Sequence, residues 1–161
     1  MKYALIIRLF FVYFLINACQ TRADKFFSNF YSQTSGEWKS EQMTVLSSKS
    51  SDLIPHELRI KLTPCTASPC SISISVDNAD FIDLQYNLGN GGTGASQSSK
   101  LTAMVFSFNR YIGSKDSLSE KEAFFVENIQ TFFIDEFSEK RLNARISFQE
   151  GIELSAIFIP E

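Results

Sequence analysis

The 161 residues are 44% hydrophobic and 20% charged, with a formal net charge of −3, a balance that provides a buried core and excludes a disordered polymer. Lys and Arg are scattered rather than gathered in a stripe, so nucleic acid is excluded as a partner. The single histidine, His56, has no sequence partners for a hydrolytic triad and no second cysteine pair for a zinc site, so no metal ligand and no prosthetic group is assigned.

The chain opens with Lys2 and Arg8, then eight unbroken apolar residues, Leu9 to Ile16, then the small-residue exit Asn17-Ala18-Cys19. That order is the pattern of a secretory signal. The run is far short of the roughly twenty residues that span a bilayer. Residues 1–18 are therefore read as a signal peptide and 19–161 as a single β-barrel domain. Two cleavage points compete. Ile16-Asn17-Ala18-Cys19 resembles a bacterial lipobox, which makes Cys19 a candidate for lipidation and membrane anchoring through several acyl chains. Ordinary cleavage after Ala23 is the other. Both put the chain in the periplasm, envelope or lumen; a retained N-terminus puts it in a plastid stroma or cytoplasm. Cys65 and Cys70 bracket the short polar loop Thr66-Ala67-Ser68-Pro69, and in an exported chain they read as a disulfide.

Beyond Ala23 the pattern is one helix followed by strands. Asp24 can cap a short helix carrying Phe26, Phe27, Phe30 and Tyr31, which Ser35-Gly36 breaks. Trp38 to Leu46 reads as a strand with mixed faces. Leu58-Ile60-Leu62, Ile72-Ile74-Val76 and Ile82-Leu84-Tyr86 each alternate with polar residues as half-buried strands do. Asn87 to Ser99, rich in Gly, Ser and Asn, reads as a mobile hairpin loop, because its glycines lack the lysine and helix of a phosphate cradle. Leu101 to Phe108 is apolar on both faces, a strand covered on both sides. Ala123 to Val126 and Ile129 to Ile134 read as two strands around a Glu127-Asn128 turn, or as one longer strand. Leu142 to Phe148 alternates, Gln149-Glu150-Gly151 turns, and Ile152 to Ile159 closes the chain. The sum is an all-β, antiparallel up-and-down barrel of about eight to ten strands with a short N-terminal helix.

Gly36-Glu37-Trp38, just after the helix, resembles the Gly-x-Trp of the lipocalin and wider calycin group. There the tryptophan seals the barrel floor and an arginine from the last strands stacks on it, which makes Arg145, with Arg141 behind it, the candidate partner here. Phe26-Phe27 before Gly36-Glu37-Trp38-Lys39-Ser40-Glu41-Gln42, Glu120-Lys121 with an aromatic stretch and Asn128-Ile129, and the closing Ala156-Ile157-Phe158-Ile159-Pro160-Glu161 together resemble the S-type phycobiliprotein chromophore lyases. The resemblance covers both ends and leaves roughly 52–116 unmatched. It implies a lipocalin-like fold that holds an open-chain tetrapyrrole, a bilin, as substrate and passes it to a cysteine of a phycobiliprotein subunit. It also implies a carboxylate at Glu120 acting on the pyrrole nitrogens, and a ligand site including Trp38, Gln42, Gln130 and Arg145. Gln42, Gln130 and Phe132 stand where that family carries arginines for the ligand's propionates, so the usual bidentate clamps are missing. Two other readings stay open: an exported or lipid-anchored barrel holding another small apolar ligand, and a structural envelope domain whose barrel is filled by its own side chains, drawn from the sixteen phenylalanines of the chain.

Overall fold

The computed structural model describes residues 22–47, 52–65, 69–90, 104–111, 113 and 117–161. The expected signal segment, Cys19, residues 101–103 and most of the expected loop at 87–99 lie outside them. Helix α1 (Arg22–Thr34) leads into β1 (Gly36–Val45), followed by β2 (Leu58–Leu62), β3 (Cys70–Val76), β4 (Ile82–Asn90) and β5 (Met104–Tyr111). Helix α2 (Glu120–Asn128) then precedes β6 (Ile129–Ser138), β7 (Arg141–Phe148) and β8 (Glu153–Pro160), with a 3₁₀ turn, Gln149–Gly151, before the last strand. Each strand pairs antiparallel with its successor, and β8 returns to β1, closing an eight-stranded up-and-down barrel. Closure removes both sheet edges, which is how a small all-β chain avoids exposed backbone donors and acceptors. No helix among the described residues is long and apolar enough to cross a membrane.

The α1–β1 junction follows from its residues. α1 ends at Thr34, and Gly36 takes φ 137°, a conformation that L side chains rarely adopt. Trp38 then points inward, 3% exposed, and its Nε1 donates 2.7 Å to the Thr34 carbonyl. That bond satisfies one of the carbonyls a helix C-terminus leaves open. The Ser35 N–H and hydroxyl both donate to Tyr31 O, at 3.0 and 2.6 Å.

The α2 region departs from the expected strand-turn-strand. Ala123 to Val126 is helical, and Glu127-Asn128 is its last turn rather than a hairpin. The local chemistry explains why. Ser119 accepts from the Glu122 N–H while Glu122 accepts from the Ser119 N–H, a reciprocal capping box that starts a helix despite the β-prone Phe-Phe-Val that follows. Phe125 is fully buried against Phe148, ring centroids 5.4 Å apart. Consequently β6 begins at Ile129. β4 also runs on to Asn90, four residues into the expected loop.

The inward faces of the strands meet in one core. Leu58, Ile60, Ile74, Tyr86, Phe106, Phe132, Ile146, Leu154 and Phe158 are all 0% exposed. Tyr86, Phe106, Phe132 and Phe158 form a row of rings from β4 to β8, with successive centroids 4.5, 6.1 and 5.8 Å apart. A side chain with no exposed surface touches no water-sized space, so the interior beside these residues is packed protein.

Candidate functional site

Strand direction sets which groups can meet. β1 starts at the α1 end, so β4 finishes there, β5 starts there, and the β6–β7 hairpin turns there. α2, the β3–β4 turn and Gln149–Gly151 lie at the far end. Residues at opposite ends cannot share one small ligand through a packed core.

Against that frame, the expected site residues scatter. Trp38 is the inward floor residue anticipated. Gln42 is exposed instead of facing in, because β1 is bulged between Ser40 and Gln42: Ser40 opposes Phe158 while Gln42 opposes Ile157. One extra residue reverses the alternation, so Met43, opposite inward Ala156, takes the inner phase. Gln130 is exposed for a similar reason, at the irregularity between Ile129 and Thr131.

Arg145 does not reach Trp38. β7 turns Leu142, Ala144, Ile146 and Phe148 inward, which puts Arg145 outside. Its Nε and Nη2 each bond Asp135 at 3.0 Å, and its guanidinium lies 4.7 Å from the Phe133 centroid. The bonds to Asp135 raise its already high pKa. Arg141, the second candidate, is also exposed and donates from Nε to Asn143. The indole instead rests on the helix end. Glu120 stands exposed in the first turn of α2 at the far end, beside a 510 Å³ depression with Asp77, Asn78 and Lys121. The disulfide forms as expected, Cys65 to Cys70, with Cα atoms 5.7 Å apart.

Three arrangements were not read from the sequence. Beneath α1, the Tyr31 and Tyr86 hydroxyls bond each other at 2.9 Å in the core, and burial raises both phenol pKa values, that of Tyr86 strongly. At the far end, Asp77 takes φ 49° and Asn78 φ 64°, with Ala79 N–H bonding Val76 O, a β-turn at the start of the β3–β4 connection whose positive φ values Asp and Asn tolerate. Asp77 Oδ1 accepts the His56 and Glu57 N–H groups at 2.7 and 3.0 Å, and Oδ2 meets Lys121 Nζ at 2.5 Å. Partial burial pushes this carboxyl upward, but the bonds from Lys121 and the two amides outweigh it and hold its pKa below the usual value. The Asp77 carboxylate thereby ties β2, the β3–β4 turn and α2 together.

The third arrangement is a groove of about 730 Å³ outside the barrel at the α1 end, between α1 and the β6–β7 hairpin. Phe26 and Phe137 form its apolar wall; Asn29, Asp135, Glu136, Arg141 and Asn143 supply polar groups. A smaller depression of about 250 Å³ lies at the far end among Met43, Ile54, Pro55, His56 and Leu154. Among the described residues no cluster of three His, Cys, Asp or Glu side chains is placed to hold a metal. Compared with protein families, with characterised proteins and with solved structures, the chain matches none.

Proposed function

We propose that the protein is a lipocalin-like carrier of the phycobiliprotein-lyase type, which binds a bilin and presents it to a cysteine of an antenna subunit. The observation that carries this reading is the junction at Gly36: a helix, a positive-φ glycine and an inward tryptophan leading into a closed eight-stranded barrel. That architecture is the one implied by the resemblance at both ends of the chain. The packed interior directs the pigment to the surface, where a groove of about 730 Å³ falls within the roughly 300–1,000 Å³ typical of small-molecule sites. Bridged Cys65 and Cys70 support an oxidising compartment, and export with lipidation at Cys19 or cleavage after Ala23 is part of the proposal. Mass spectrometry of the chain from its native source tests it: a first residue of Cys19 or Asp24 supports export, and an intact Met1 without lipid removes it.

Titrating the purified protein with biliverdin tests the carrier reading. A sharpened, red-shifted absorption band at stoichiometric protein is the expected result. An unchanged pigment spectrum contradicts it. A second reading, a structural envelope domain without a ligand, is favoured by the complete coverage of Tyr86, Phe106, Phe132 and Phe158, and the same silent titration would support it.

A further inference from the structure

We infer that the groove between α1 and the β6–β7 hairpin is a binding site for a flat, apolar molecule bearing carboxylates, with Arg141 as the carboxylate receptor. This rests on the bilin-carrier reading, in which the ligand's propionates are the carboxylates.

The groove is built by a bulge. Ile134 opposes Ala144 and Glu136 opposes Asn143, so Asp135 is an extra residue that reverses the alternation of β6. Without it Glu136 would take the inner phase. With it, Phe137 turns onto α1, where its ring sits 4.9 Å from Phe30 and 5.8 Å from Phe26. Phe26 and Phe137 stay only partly covered, and their free surfaces give a conjugated ligand an aromatic wall to stack on.

The polar side is organised around one cation. Glu136 Oε2 accepts from Asn143 Nδ2 at 2.6 Å, which fixes the amide, and Asn143 Oδ1 accepts from Arg141 Nε at 3.0 Å. Arg141 is therefore held by a single edge, and among the described residues its terminal nitrogens meet no acceptor, which leaves their donors for a ligand. A guanidinium offers a carboxylate two parallel bonds, the strong form of this contact. Of the neighbouring acids, Asp135 is ion-paired with Arg145, and Glu136 bonds the neutral Asn143 amide, so Glu136 is the one acid of the groove without a cationic partner among the described residues. A neutral ligand would leave Arg141 unused, and a dianion without an apolar body would leave the rings bare.

The full chain, Arg141→Gln, Arg141→Lys and the remote control Lys61→Gln are titrated with biliverdin, biliverdin dimethyl ester and cis-parinaric acid, with thermal melts to confirm folding. Arg141→Gln should weaken biliverdin binding by about ten- to a hundredfold, as for lost hydrogen bonds to a charged group. Arg141→Lys should fall between it and the native chain, and Lys61→Gln should match the native chain. The dimethyl ester should bind the native chain no better than it binds Arg141→Gln. Biliverdin binding that ignores Arg141 overturns the site while leaving the carrier reading standing. Arg141-dependent binding of cis-parinaric acid without biliverdin binding keeps the site and removes the bilin. If neither acid binds, both fall.

Discussion

Trp38 combines two contributions that a single substitution can separate. Its ring fills the barrel floor, and its N–H caps the end of α1 at Thr34. Trp38→Ala should cost about 3–5 kcal/mol, the range for large aromatic truncations in a core; chemical denaturation measures it, and a loss below about 0.5 kcal/mol would place the indole on the surface. Asp77 makes a different kind of contribution. Asp77→Asn keeps a carbonyl oxygen for the two amides and tolerates positive φ, but loses the charged bond to Lys121, so about 1 kcal/mol should go. Asp77→Ala loses all three bonds and strains the turn, and should cost more. Because the folded pKa is depressed, this stabilisation is complete above the ordinary carboxylate value of about 3.9 and is lost as pH falls through the lower folded value. Native and Asp77→Asn proteins should therefore converge in stability in strong acid; a constant gap down to pH 2 would show that the charge is not responsible. Trp38 was legible in the sequence through Gly36-Glu37-Trp38, whose resemblance to a Gly-x-Trp motif implied a buried tryptophan. Asp77 was not, since its partners come from positions 20, 21 and 44 residues away.

At the scale of elements, period-2 alternation marked most strands, and the errors cluster where one extra residue or one cap decides. The bulge after Ser40 turned Gln42 outward, and the one at Asp135 turned Phe137 onto α1. Bulges depend on cross-strand register, which a single strand's pattern does not contain. The α2 error is different. Ser119-x-x-Glu122 has the spacing of a capping box, a helix-start signal that a strand reading of the aromatic run leaves out. Changing Ser119 to Ala should cost about 1 kcal/mol by leaving a helix donor without its acceptor, and the neighbouring Phe125–Phe148 contact should loosen with it. The Cys65–Cys70 loop was legible because its spacing agrees with the export expected from the N-terminal pattern. Reducing it should cost about 2 kcal/mol, the small end expected for so short a loop. A melt unchanged by reductant would mean that the β2–β3 connection is held without the bridge.

For the whole molecule, the barrel and its leading helix followed from composition and pattern, whereas the site did not. A ligand inside was the natural expectation for a calycin-like fold, but the interior row Tyr86-Phe106-Phe132-Phe158 has no exposed surface. Phenylalanine count alone could not distinguish rings that line a cavity from rings that fill one. The groove outside depends on α1 meeting the β6–β7 hairpin, two segments about a hundred residues apart whose contact only closure of the barrel creates. Backbone amide NMR of the labelled protein during a biliverdin titration tests this account most directly. Shifts should concentrate at Phe26–Gln33 and Asp135–Asn143, with Ile60 and Ile72 in the far wall unmoved. Shifts centred on the inner faces of β2 and β3, with the hairpin unchanged, would place the ligand in the interior and contradict it.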